Sequence, residues 1–275
     1  DAAIRRAVEG KRSSEIIALA GRQYRVTASP SVFEDKVQGV ALLFLDETDK
    51  LLAEQRRREF SANVSHELKT PLTSISGYAE IIHNGLAKPK DVQEFAGFIY
   101  EEANRLIALV QDIIKLSRLD EKEGALDKQP VDFCDLARRV TDGFAQTAAQ
   151  TGLQLTFEGE SAMVLGVSSI LEEVVYNLVD NALHYSEKGT VAVTVEKVDD
   201  AALLTVRDEG IGIPKEHQRQ VFERFYRVDK SHSRDSGGTG LGLAIVKRGV
   251  LFHEGSVELE SEPGKGSVFH VTIPS

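Results

Sequence analysis

Residues 60–75 read FSANVSHELKTPLTSI. Apolar side chains at Val64, Leu68, Leu72, Ile75, Ala79 and Ile82 step by fours and threes, the spacing of one buried stripe on a helix. His66 lies two residues from both Val64 and Leu68, so at about 100° per residue it points away from that stripe. Glu67 follows it, and Thr70 stands one turn further on the same side. The pattern predicts an imidazole held in solvent on a stiff rod, with a carboxylate beside it. A solvated helix histidine is the ordinary reading of one such residue, but Pro71 also needs a reason. It cannot donate to the carbonyl of Glu67 and tends to kink the helix there. A kink beside an exposed His–Glu pair marks a candidate site whose meaning depends on the rest of the chain.

Outward from this stretch, residues from about Asp49 to Gly85 read as one long helix, broken by Gly85 and Pro89. Asp91 is placed to cap a second helix running to about Leu119, with its own stripe of Phe95, Ile99, Ala103, Leu106, Val110 and Ile113. Two such helices joined by a short loop form an antiparallel hairpin. A hairpin alone leaves apolar surface bare, so pairing into a four-helix bundle predicts a homodimer. The alternative is a hairpin packed on the rest of its own chain. Upstream, Ala2 to Ala20 reads as a helix, and Gln23–Ala28 and Gly39–Leu45 as strands joined through a turn. This small α+β block, residues 1–48, resembles the C-terminal half of a PAS sensor domain, whose last strand feeds a signalling helix.

The chain has 275 residues, 41% hydrophobic and 28% charged, with a net charge of −10. That is a globular composition with length for about two domains. The negative balance argues against nucleic acid or an anionic membrane as the main partner. The one cysteine, Cys134, excludes an intrachain disulfide and suits a reducing compartment; it reads as a helix-packing residue. The longest clean apolar run, Val40–Leu45, is too short to span a bilayer. With Asp1 rather than Met at its start, the chain reads as a fragment of a longer protein.

Glu121 to Pro130, EKEGALDKQP, is charged, carries Gly and Pro, and reads as a linker. Residues 131–275 then alternate helices and strands in an α/β domain. Helices are expected over Phe133–Thr151, Ser168–His184 and Leu241–Leu251, with strands near Leu153–Phe157, Ala162–Leu165, Thr190–Lys197 and Ala202–Asp208 and two more at the end.

Four motifs in this domain bear on a nucleotide. Asn177 and Asn181 stand one turn apart on a helix that ends at His184-Tyr185, so both carboxamides face one way. Their oxygens suit a hydrated magnesium ion, whereas capping or core-bonded asparagines are the plainer alternative. Asp208-Glu-Gly210-Ile-Gly212-Ile-Pro lies at a strand end. Its glycines admit a ligand close to the backbone, and its carboxylate can accept from an exocyclic amine such as adenine's; alone, the motif is also compatible with a plain turn. Gly237-Gly238-Thr239-Gly240-Leu241-Gly242-Leu opens a helix, where free N–H groups and the positive dipole end suit phosphates. A dinucleotide fingerprint fits poorly, because the run lacks the acidic residue about 20 positions on. Phe222-Glu-Arg-Phe-Tyr-Arg227 precedes that loop; Phe222 and Phe225 read as packing, and Arg227 can reach a phosphate bidentately.

In this order the motifs resemble those of the sensor histidine kinases of two-component systems, over residues from about 50 to 275. His66-Glu-Leu-Lys-Thr-Pro is similar to the family's H box, and Asn177 to Tyr185 to its N box. Asp208 to Pro214 is similar to the G1 box, Phe222 to Arg227 to the F box, and Gly238 to Leu243 to the G2 box. Pro263-Gly-Lys-Gly-Ser-Val-Phe269 resembles the last glycine box.

The resemblance implies a dimerisation and phosphotransfer hairpin over residues 49–120, then a Bergerat-type ATP-binding sandwich with residues 214–240 as a mobile lid. It also implies that the chain is the cytoplasmic portion of a membrane-anchored bacterial protein. It implies that His66 takes the γ-phosphoryl of ATP on its ε nitrogen, with Glu67 as proton acceptor at the δ nitrogen. Magnesium would sit on Asn181 and Asn177, with Glu173 a further candidate. Asp208, Gly210, Gly212, His184, Tyr185, Arg227, Gly238, Thr239, Gly240, Leu241 and Gly242 would line the ATP site. The phosphoryl would pass to an aspartate of a response regulator, and Thr70 would serve the reverse, regulator-dephosphorylating activity. One departure is His184, where the N box usually carries lysine; phosphate grip would then lean on Arg227 and Lys69. Two readings compete: a Bergerat-fold ATPase without phosphotransfer, and a dimeric signalling module without catalysis.

Overall fold

The computed structural model describes residues 2–34, 36–121, 126–228 and 238–275, without the side chains of Arg56 and Glu121. The chain divides into two compact units, residues 1–67 and 68–275.

The first unit holds a short helix, α1 (Ala2–Val8), and three antiparallel strands, β1 (Ser13–Leu19), β2 (Arg22–Phe33) and β3 (Lys36–Asp46), in that spatial order. The helix expected over Ala2–Ala20 is therefore only its first third. Gly10 takes φ +87° and ends it, and Ser13–Leu19 pairs with Arg22–Ala28 instead. Ala20 and Gly21 both have positive φ, the two-residue turn that matches strand twist. Ala3 and Ala7 of α1 bury against Ala28 of β2. At the end of β3 the Asp46 carboxylate accepts from the Thr48 N–H at 3.0 Å and its hydroxyl at 2.6 Å. That carboxylate satisfies donors at the start of the long helix α2 (Thr48–His83).

α2 runs on through Pro71 without interruption in its assignment. The hydroxyl of Thr73 bonds the Lys69 carbonyl and that of Ser74 the Thr70 carbonyl, both in the turn around the proline. Along the expected stripe Val64, Leu68, Ile75 and Ile82 are half-buried, while Leu72 and Ala79 are exposed. α3 (Val92–Glu121) follows a short connection in which Gly85 has φ +68°. Within the second unit the two helices meet where Tyr78 packs between Phe95 and Phe98, ring centroids 5.3 and 5.2 Å away. Further along α3, Leu109, Leu116 and Leu119 are buried, and α3 packs on a later helix, α7 (Gly242–Phe252).

The α/β part opens with β4 (Gln129–Asp132), which pairs with β6 (Met163–Gly166). Gln129 and Pro130, expected in a linker, thus belong to a strand; residues 122–125 of that segment lie outside those described. Asp132 caps α4 (Phe133–Gly143), accepting from Cys134 N–H and Asp135 N–H. The expected helix over Phe133–Thr151 divides here, because Phe144 ends α4 after Gly143 and starts α5 (Ala145–Thr151). β5 (Gln154–Gly159), α6 (Ser168–His184), β7 (Thr190–Val198), β8 (Ala201–Arg207), α7 (Gly242–Phe252), β9 (Ser256–Glu262) and β10 (Gly266–Pro274) complete the chain. The five-stranded sheet has the order β5-β7-β8-β10-β9, parallel between β5 and β7 and antiparallel elsewhere. Alternate residues Val191, Val193, Val195, Ala202, Leu204, Val206, Phe269, Val271 and Ile273 point from one face into the core. Helices α4, α6 and α7 cover that face with Leu136, Leu171, Val175, Leu178 and Val246, a two-layer sandwich. Cys134 is buried in the same core, as its packing role requires.

Candidate functional site

His66 projects from α2 with 78% of its side chain exposed, and its Nδ1 lies 3.7 Å from Glu67 Oε1. The separation is ion-pair range and just beyond a hydrogen bond. It sets Nδ1 beside the carboxylate. Thr70 is exposed on the same helix.

The second group of candidates gathers at one edge of the sandwich. Asp208 follows the last residue of β8 and is only 6% exposed. Its Oδ1 accepts two backbone N–H groups, Gly210 at 2.9 Å and Ser267 at 3.1 Å. Burial pushes this carboxyl up from its ordinary value, and the two N–H groups pull it partly back. With Oδ1 occupied, Oδ2 is the acceptor left for a ligand. The loops around it are zipped together. Ile211 N–H donates to Tyr185 O, and Gly264 N–H to Ile211 O. A Cβ on Gly210 would lie 2.2 Å from Tyr185 O, and one on Gly212, at φ +67°, 2.1 Å from Glu262 O, so both positions require glycine.

On α6, Asn177 donates through Nδ2 to the Glu173 carbonyl at 2.7 Å. That bond aims Oδ1 across to α7, where a Cβ on Gly242 would stand 2.7 Å from it. Asn181 is half-buried one turn later. Two amide oxygens on one face fit a hard, hydrated cation. No cluster of three His, Cys, Asp or Glu that would hold a metal occurs among the described residues. Glu173, the further candidate, is engaged by Lys115 of α3 at 2.8 Å. His184 ends α6, exposed, with its ring edge-on to Tyr185 at 4.9 Å. Asp180, one turn before it, is exposed as a residue, but its carboxyl is raised by desolvation, against the nearby His184 imidazole and with a further push from Asp112.

Among the described residues no side chain of the N-cap residue Leu241 caps α7, and N–H groups at such a helix start suit an anion. Arg227 Nη2 lies 3.4 Å from where a Cβ on Gly238 would be, which brings the arginine to the glycine run. Phe225 N–H donates to Gly240 O at 2.8 Å, tying the two ends of the intervening segment. Its middle, 229–237, including Gly237, lies outside the described residues. Thr239 donates from Oγ1 to Asp112 Oδ2 of α3 at 2.7 Å, and its Oγ1 accepts the N–H of Leu241. Asp120, also of α3, is shared by Arg224 at 2.8 Å and Arg248 at 3.0 Å.

Sequence reasoning missed Asp112, Lys115 and Asp120 because they carry no motif; only the packing of α3 brings them to the site. It also missed Ser261 and Gln218, which bond the loop after Asp208. Ser267 lay inside the last glycine box, and its backbone grip on Asp208 needed the β8–β10 register.

A helical hairpin bearing an exposed histidine is thus followed along the chain by an α/β sandwich with a buried aspartate and two asparagines one helical turn apart. The comparisons agree. Residues 56–122 match the His Kinase A (phospho-acceptor) domain, and residues 166–275 the histidine kinase-, DNA gyrase B- and HSP90-like ATPase family. The chain is 40% identical to the sensor-like histidine kinase SenX3 of Mycolicibacterium smegmatis over 94% of its length and 68% of the relative's. It is 36% identical to the sensor histidine kinase WalK of Bacillus subtilis over 87% of its length and 40% of that protein's. Among solved structures, the Acinetobacter baumannii histidine kinase AdeS aligns with TM-score 0.63 and 28% identity over 76% of this chain and 97% of its own. Full-length ShkA in complex with AMPPNP aligns with TM-score 0.59 and 27% identity over 78% of this chain and 45% of its own. The chain belongs to the sensor histidine kinases of two-component systems, and its C-terminal part is the family's ATP-binding domain. No described helix is long and apolar enough to cross a membrane.

Proposed function

We propose that the chain phosphorylates itself on His66 from ATP and passes the phosphoryl group to an aspartate of a response regulator. The carrying observation is His66 itself, exposed on α2 with Nδ1 turned to Glu67, in a chain that also holds an ATPase domain. The lone pair on Nε2 attacks the γ phosphorus. The bond to the β–γ bridging oxygen breaks, its electron pair leaving with ADP, and the Nδ1 proton is held by Glu67 as charge builds on the ring. Asp208 Oδ2 accepts from the adenine amine, Tyr185 and the Gly210–Gly212 loop border the base, and the N–H groups of Gly238, Thr239, Gly240 and Gly242 with Arg227 hold phosphate oxygens. Asn181 and Asn177 would hold a magnesium ion, which would supply charge neutralisation on the phosphates. His184 stands where a phosphate contact belongs, and Thr70 serves regulator dephosphorylation. Residues 49–120 act as the dimerisation and phosphotransfer hairpin, 131–275 as the catalytic domain, and 1–48 as a PAS-like input.

Incubation with γ-labelled ATP tests the reading. The wild type is expected to gain acid-labile, base-stable label; His66→Gln gains none while still binding ATP, and Asn181→Asp gains little because its nucleotide site is impaired. Hydrolysis of ATP with no labelled protein would favour the ATPase alternative and overturn the proposal.

A further inference from the structure

The bonds around Asp208 converge on one hydroxyl. Ser261 of β9 stands directly opposite Ser267 of β10. Its Oγ donates to Gly266 O at 2.9 Å, accepts the Ile213 N–H at 2.7 Å and lies 3.0 Å from Ser267 Oγ. A hydroxyl has one proton and two acceptor positions. With the proton given to Gly266, the Ser267 hydroxyl must be the donor in the third bond, and Ser261 is then filled. Gln218 completes the clasp, its Nε2 donating to Ile213 O at 2.9 Å and to Ser261 O at 2.8 Å. Ile213 thus has both its N–H and its carbonyl held by these two side chains, immediately after the Gly210–Gly212 loop. Ser267 grips Asp208 by both of its own backbone groups, its N–H on Oδ1 and its carbonyl on the Asp208 N–H.

We propose that Ser261, supported by Gln218, is the positioning residue that sets the Asp208 carboxylate for the adenine amine. It ties together the two segments whose N–H groups occupy Oδ1, and so fixes where Oδ2 points. Neither Ser261 nor Gln218 touches the base in this scheme. The inference rests on the reading of Asp208 as the acceptor of that amine.

Equilibrium binding of ATP and inosine triphosphate to the whole chain tests it, because inosine has a carbonyl in place of the amine. Ser261→Ala is expected to weaken ATP about three- to tenfold, the worth of one misaligned hydrogen bond, and to leave inosine triphosphate unchanged. Gln218→Leu, further from the core, is expected to move the ratio the same way, and Ser261→Thr to restore it. Equal weakening of both nucleotides, or no weakening of ATP, would overturn the proposal. Asp208→Asn separates the two readings. If it abolishes the preference for ATP while Ser261→Ala and Gln218→Leu leave it intact, only the positioning role fails. If it leaves the preference intact, the Asp208 reading fails and the positioning role with it.

Discussion

His253 shows how a single ring can brace a site it never touches. It is 2% exposed, donates from Nδ1 to Gly249 O at 2.7 Å and accepts the Val167 N–H on Nε2 at 2.9 Å. Val167 is the N-cap residue of α6, so this imidazole stands in for the missing side-chain cap of the helix that carries both asparagines. The acceptor nitrogen must stay unprotonated, and burial holds the ring's pKa below its ordinary 6.5. The sign follows from linkage. The unfolded chain takes up this proton near pH 6.5 and the folded chain only at lower pH, so stability is complete above about 6.5 and declines as pH falls below it. Thermal melts of the wild type are expected to lose several degrees between pH 7 and pH 5. His253→Gln, less stable at neutral pH, is expected to show a flatter profile. An unchanged slope in that variant would place the titrating group elsewhere. None of this was legible in the sequence, where His253 has no neighbours that mark it; the distance between Val167 and His253 along the chain hides the bond.

At the scale of elements, α3 is the piece whose second face the sequence did not reveal. Its stripe of Phe95, Ile99, Ala103 and Leu106 reads directly as a hairpin partner for α2, and these residues are half-buried. The opposite property, a row of Asp112, Lys115 and Asp120 meeting Thr239, Glu173, Arg224 and Arg248, looks like a solvated face in one dimension. Burial raises the Asp112 carboxyl above its ordinary value, against the pull of the Thr239 hydroxyl and Lys115. Asp120 serves two arginines at once, so its removal acts on both. Asp120→Ala is expected to lower global stability by no more than about 1 kcal/mol, since the pairs are partly solvated. Amide exchange is expected to quicken in residues 223–228 and in α7, where the arginines sit. Uniformly unchanged exchange would show that the pairs carry no local order. The N-terminal helix illustrates the reverse error. Its composition favours helix through Ala20, but one glycine at φ +87° and a neighbouring strand outweigh seven residues of propensity.

For the whole molecule, the exposed residues Ile107, Val110 and Ile114 on α3 and Leu72 on α2 are part of the apolar surface that the hairpin leaves bare. Their spacing on α3, by three and four, is that of a helix interface. A homodimer through the hairpin would bury them. Ile107→Asp with Ile114→Asp is expected to yield a monomer in sedimentation equilibrium while the ATPase domain keeps its nucleotide affinity. A dimer that survives both changes would move the interface off this face. The sequence by itself determined the chain's class: the order of motifs, the helical periods and the alternation of the strands are local properties, written in residues close together along the chain. It also determined which side chains are candidates, because His66, Asn181 and Asp208 sit in short motifs with a chemical reason. What only the tertiary structure decided is how those candidates are held. The clasp of Ser261 on Ile213, the cap of α6 by His253 and the docking of Asp112 and Asp120 all join residues between 48 and 127 positions apart. Hydrogen bonds and ion pairs act over a few ångströms of space, and no one-dimensional pattern carries that proximity.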